Sequence, residues 1–209
     1  MNEKFEHLIV RAEQLITRIE SILPQPMAAP DWSVAVAWRY RKRSSGHGAL
    51  EPVRHIGVMQ LESLKEIDLQ KEKIRRNTLQ FVEGKPANNV LLTGARGTGK
   101  SSLIKACLNE FSGQGLRLIE VDKADLTDLP DIVDTVAERP EKFIVFCDDL
   151  SFEDGEPGYK ALKSILDGSV SAASPNVLIY ATSNRRHLLP EHMKDNLTYT
   201  HTDDGEVHP

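Results

Sequence analysis

Gly94-Ala95-Arg96-Gly97-Thr98-Gly99-Lys100-Ser101 directly follows an apolar run, Asn89 to Thr93, and directly precedes a helical pattern. The eight residues match the glycine-rich phosphate-binding loop at every position, and the strand-before, helix-after setting is the one that loop needs. Its glycines let the backbone curl so that successive N–H groups point inward at phosphate oxygens, and the following helix adds its positive N-terminal end. The pattern predicts that residues 94–101, with Ser102 next in line, bind ATP or a closely related nucleoside triphosphate. Lys100 is expected to reach the β- and γ-phosphates as a point charge, with the Ser101 hydroxyl a magnesium ligand.

Further apolar runs occur outward from this loop at Leu116 to Val121, Phe143 to Cys147 and Val177 to Thr182, with helical stretches between them. Strands alternating with helices predict a parallel sheet, and runs that are apolar throughout predict helices on both of its faces. The expected class is α/β, doubly wound. A helix is predicted over Leu69 to Val82, with Ile74, Asn77, Thr78, Phe81 and Val82 on one side and Gly84 and Pro86 closing it. No internal repeat or extended low-complexity segment is evident, which sets solenoid architectures aside.

Phe143 to Cys147 runs straight into Asp148-Asp149. A phosphate loop needs a carboxylate at the end of another strand, so Asp148 is expected to hold magnesium through water and Asp149 to orient or polarise the attacking water. Val177 to Thr182 leads into Ser183-Asn184, and Asn184 is placed to hydrogen-bond the γ-phosphate or that water. Catalytic roles are therefore expected of Lys100, Asp149 and Asn184. The strand bearing Asn184 is expected to lie between the other two motif strands.

These three elements together resemble the AAA+ ATPases over roughly residues 60 to 195. Asn184 matches their sensor 1, and residues 94–101 and 148–149 match Walker A and Walker B. Phe81 to Leu92, running into the loop, and Cys147 to Phe152 are similar more specifically to a bacterial AAA+ family described only as a domain of unknown function. The resemblance implies a P-loop NTPase of AAA+ type that couples Mg–ATP binding and hydrolysis to remodelling or loading of a macromolecule. It also implies subunits that contribute to one another's sites. It places Leu64, Ile67 and Asp68 beside adenine, with Ile67 the apolar contact. Most AAA+ proteins carry Glu where this chain has Asp149. Aspartate is one methylene shorter, and a misplacement of ~1 Å costs about 100-fold in rate, so slow turnover is expected. The family's fifth strand, arginine finger and helical lid have no visible counterpart after Leu189-Pro190. The lid is expected to be absent, and Arg185 and Arg186 are read as surface or phosphate-proximal residues.

The rest of the chain divides by pattern. Glu3 to Leu23 places apolar residues at three- and four-residue steps, which predicts an amphipathic helix ended by Pro24, Pro26 and Pro30. Ser33 to Tyr40 alternates as a short strand, and Arg41 to Gly48 reads as a basic loop. The expected organisation is an N-terminal helix and Pro-rich linker (1–30), a strand and basic loop (31–60), the nucleotide-binding core (61–195) and a polar tail (196–209). Without a fifth strand the P-loop strand would sit at a sheet edge. The segment 33–40 is the only spare strand-like run to pair there.

Composition narrows the function classes. A formal charge of −5, with 40% hydrophobic and 27% charged residues, is that of a globular protein with no global pull toward nucleic acid or anionic membrane. No apolar run approaches the ~20 residues that cross a bilayer, and the acidic, polar N-terminus is unlike a signal peptide, so a cytoplasmic location is expected. Arg39, Arg41, Lys42 and Arg43 beside Trp38 and Tyr40 have the composition of a nucleic-acid patch; the competing reading is a solvated loop. Cys107 and Cys147 read as buried packing, and the scattered His187, His192, His201 and His208 suggest no metal site. Two other function classes compete: a nucleotide-gated binding module with negligible turnover, and a small-molecule P-loop kinase. The kinase would need a lid of phosphate-clamping arginines.

Overall fold

The computed structural model describes residues 2–20, 30–42, 48–153, 155–166, 174–185 and 188. Five helices and six strands are found among them: α1 (Asn2–Glu20), β1 (Ala37–Lys42), β2 (Gly48–Pro52), α2 (Asp68–Val82), β3 (Val90–Thr93), α3 (Lys100–Phe111), β4 (Leu116–Glu120), α4 (Leu129–Val136), β5 (Lys142–Cys147), α5 (Pro157–Leu166) and β6 (Val177–Ser183). The strands form one sheet in the order β2-β1-β4-β5-β6-β3, with every neighbouring pair parallel except the β1–β2 hairpin.

Successive strand residues point to opposite faces, so the apolar strands feed two cores at once. Phe143, Val145 and Cys147 of β5, with Ile179 and Ala181 of β6, join Ile132, Val133 and Leu162 on one face. Ile144 and Phe146, with Leu178 and Tyr180, join Ile74, Phe81, Leu103 and Phe111 of α2 and α3 on the other. Helices thus cover both faces, as the absence of polar alternation requires. On α2 the buried side chains are Ile74, Thr78 and Phe81, and the Thr78 hydroxyl lies 2.8 Å from that of buried Tyr180.

The expectation for residues 33–40 is overturned. The strand there begins at Ala37 and pairs in parallel with β4, at the end of the sheet away from β3. Two contacts explain the choice. Trp38 and Tyr40 are buried in the core beside α4, and Arg39, opposite Glu120 in the register, makes a 2.7 Å ion pair with it. The P-loop strand β3 is one of the two edge strands among the described residues, β2 being the other. Strand β1 runs on through Arg41 and Lys42, the start of the expected basic loop, and strand β2, which the sequence pattern does not predict because its glycine and proline are poor strand formers, continues the same sheet. An edge position tolerates both. Residues 43–47 of the expected basic loop, and the tail from 189 onward, lie outside the described residues.

Candidate functional site

β3 ends at Thr93, and the Gly94 N–H donates to the Ser183 carbonyl at 3.2 Å, tying the loop to the end of β6. Gly97 and Gly99 have φ of 81° and 82°, the left-handed region that side chains disfavour, so the turn into α3 depends on glycine at both. A Cβ at Gly99 would meet Leu64 at 3.8 Å and Ile67 at 4.0 Å, ordinary contact distances, so the demand for glycine there comes from the backbone conformation.

Helix α3 starts at Lys100, whose ammonium donates to the carbonyls of Gly94 (2.7 Å) and Ala95 (2.8 Å) and to Asn184 Oδ1 (3.0 Å). The Ser101 hydroxyl donates to Asp148 Oδ1 at 2.7 Å. Asp148 and Asp149 stand just beyond the end of β5, and Asp149 itself adopts φ 52°. Asn184, just beyond β6, donates through Nδ2 to Asp149 Oδ1. Residues 96–102, Asp148, Asp149, Thr182 and Asn184 line one cavity of about 280 Å³. It lies where the carboxyl ends of β5, β6 and β3 come together, with β6 between the other two. Lys100 and Arg96 are its cations, Asp148 and Asp149 its anions. Among the described residues no ion pair is found for Arg96.

Ile67 lies on the other side of the loop, lining a second cavity of about 360 Å³ with Gln70, Leu91, Leu92 and Leu103. Leu64 packs partly buried nearby, whereas the Asp68 side chain is 84% exposed and pairs with Lys71. Arg185 reaches toward Glu153 at 3.5 Å; Arg186 lies outside the described residues.

Two residues escaped the sequence reading. Thr182 and Ser183 are buried at the end of β6 and clamp the Asp148–Leu150 turn. The Thr182 hydroxyl donates to Asp148 Oδ1 at 2.5 Å and accepts the Asp149 N–H at 2.8 Å. The Thr182 carbonyl accepts the Leu150 N–H, and the Ser183 hydroxyl donates to the Leu150 carbonyl at 2.6 Å. The available signal was a pair of hydroxyl residues closing a strand buried on both faces, since buried polar groups need partners.

The nucleic-acid patch does not assemble as its composition suggested. Trp38 and Tyr40 are 1% and 3% exposed and offer no face to a base. Arg39, Arg41 and Lys42 pair with Glu120, Glu51 and Asp128. Both cysteines are buried and free. Among the described residues there is no cluster of three metal-binding side chains and no helix long and apolar enough to cross a membrane. The four tail histidines lie outside the described residues.

The family model "Protein of unknown function (DUF815)" matches residues 33–209. No curated protein matches. Among solved structures, a chain of the E. coli MS115-1 HORMA:CdnC:Trip13 complex superposes with a TM-score of 0.51 at 14% identity, covering 62% of this chain and 59% of that one. AMPPCP-bound DnaA from Aquifex aeolicus gives 0.42 at 17%, covering 62% and 43%. DnaI gives 0.45 at 18%, covering 73% and 78%. The chain spans less than two thirds of the first two of these proteins. At such identities the likeness speaks of fold alone. The chain belongs to the DUF815 family, and its fold is that of an AAA+ type P-loop NTPase.

Proposed function

We propose that the chain binds ATP with magnesium in the cavity between residues 94–102 and the ends of β5 and β6, and couples binding and slow hydrolysis to ADP to a shape change acting on a protein or nucleic-acid partner. The observation that carries this reading is the convergence of Lys100, Ser101, Asp148, Asp149 and Asn184 on one cavity beside the carboxyl ends of parallel strands. Ligands of open α/β sheets collect at that end.

Lys100 brings three donors to the β- and γ-phosphate oxygens, while the loop N–H groups and the start of α3 supply the rest of the anion site. The donor set fits magnesium. Ser101 and Asp148 offer hard oxygen ligands 2.7 Å apart, few enough for a cation that keeps several of its waters. When bound, the metal neutralises charge on the phosphates. Asp149 accepts a proton from, or orients, the attacking water, and Asn184 fixes the Asp149 carboxylate. Ile67 gives adenine an apolar wall. The shorter carboxylate of Asp149 is consistent with slow turnover, as is a need for an arginine from a neighbouring subunit, whose contribution is worth ~10³ to 10⁵ in rate.

Isothermal titration of ATP and magnesium into this chain and into Lys100→Ala, followed by phosphate release on the same samples, tests the reading. Binding confined to the parent chain supports it, and binding to neither removes it. One observation favours a second reading, a nucleotide-gated binding module: the Asp149 carboxylate is already engaged by Asn184. Tight binding with no phosphate release, alone or with nucleic acid added, would select that module.

A further inference from the structure

Helix α1 lies outside the family match, and residues 7–19 are all exposed, including Leu8 (66%), Leu15 (54%), Ile16 (54%) and Ile19 (54%). Its sequence repeats every seven residues: Phe5 to Arg11, Ala12 to Arg18, then Ile19 to Leu23. In heptad lettering from Phe5, positions a, d and e are apolar throughout (Ala12 and Ile19; Leu8 and Leu15; Ile9 and Ile16 in the described part). Position g is always basic (Lys4, Arg11, Arg18) and position b always acidic (Glu6, Glu13, Glu20).

At 3.6 residues per turn, the order around the helix is g, d, a, e, b. The apolar stripe is therefore bordered by a basic row on one side and an acidic row on the other. An antiparallel pair would set arginine row against arginine row. A parallel pair would set each arginine row against the apolar e positions, leaving the acidic row unused. Only when parallel copies follow one another around an axis does the g side of one helix meet the e–b side of the next, matching basic row to acidic row at each contact. Such head-to-tail contacts close into rings. A stripe three positions wide likewise exceeds the a/d seam of a two-stranded coil. An anionic membrane surface fits worse, because one border of the stripe is acidic.

We propose that α1 is a self-association surface, on which more than two copies of this chain pack as parallel helices with the basic g row of one against the acidic b row of the next. This contact is independent of the nucleotide site. With under three heptads per helix the association is concentration-dependent.

Sedimentation velocity of the full chain, without nucleotide, from about 1 to about 100 μM covers the range of weak self-association. The expected result is a weight-average mass rising above twice the 23.4 kDa of one chain. A Leu15→Glu/Ile16→Glu chain should stay at one chain's mass with an unchanged melting temperature. Two charge variants, Arg11→Glu/Arg18→Glu and Glu6→Lys/Glu13→Lys/Glu20→Lys, should each associate at least ~10-fold more weakly and regain association when mixed. A monomeric parent throughout overturns the surface, and so does association that survives Leu15→Glu/Ile16→Glu. A species limited to two copies, or charge variants that associate like the parent, overturns the parallel arrangement. Monomeric chains that bind phosphatidylserine vesicles through α1 would make it a membrane helix instead.

Discussion

The Thr182 hydroxyl donates to Asp148 and accepts from the Asp149 N–H, so one buried side chain orients one acidic residue and anchors the backbone of the next. Thr182→Val keeps the volume and removes both bonds. It is expected to raise the magnesium concentration needed for tight nucleotide binding ~10- to 100-fold, the usual cost of losing an outer-shell partner, while Thr182→Ser restores the parent value. Titrations at stepped magnesium check this, and equal losses in both variants would assign the effect to packing. Asp149 illustrates a second residue-scale cause. Its φ of 52° lies where Asp and Asn are tolerated better than longer side chains, which gives this position a reason to carry Asp rather than Glu. Asp149→Glu is expected to cost about 1 kcal/mol in denaturant unfolding without speeding phosphate release. Asp149→Asn should leave stability unchanged and lower release at least ~100-fold.

At the scale of elements, the β1–β2 hairpin is fastened by Asp128, which accepts from the Tyr40 hydroxyl at 2.8 Å and from Lys42. Burial pushes the Asp128 carboxyl up, but the hydrogen bonds from Lys42 and Tyr40 and the Lys42 charge outweigh it and hold the group below its ordinary value. A lowered folded-state value means that the stabilisation is complete above the unfolded value, ~3.9, and fades as pH falls through the folded one. Neighbouring Asp125 acts in the opposite sense, raised by burial and by the charges of Asp128 and Asp122. Asp128→Ala should cost roughly 1 to 3 kcal/mol at pH 7, since it leaves the Tyr40 hydroxyl unpaired. The gap between variant and parent should narrow below pH ~4. Urea unfolding of both chains at pH 7 and pH 3 measures it; a constant gap would mean that the carboxylate charge contributes nothing.

Over the whole molecule, the sheet separates two cores, and each carries one thiol: Cys147 from β5 on one face, Cys107 from α3 on the other. Burial pushes both thiols up to about 12, so native-state alkylation requires opening of the core around each. Both are expected to react ~10³-fold or more slowly than in the unfolded chain, and at matching rates if the two cores open together. Mass-resolved pulse alkylation reports each site, and a Cys107 that reacts far ahead of Cys147 would show that the α2–α3 face opens alone.

Residues 89–101, the Asp148-Asp149 pair and Asn184 were legible in the sequence because each depends on local pattern: a glycine spacing, or an apolar strand with a polar residue at its carboxyl end. The four parallel strands were legible for the same reason, each being apolar along its whole length. The hairpin's position was not, since an alternating run such as residues 33–40 fits any open edge, and only packing of Trp38 and Tyr40 with the Arg39–Glu120 pair distinguishes one edge from another. The Thr182 clamp was hidden for a related reason: a hydroxyl at a strand end acquires its partners, 33 and 34 residues away, only when β5 and β6 lie side by side.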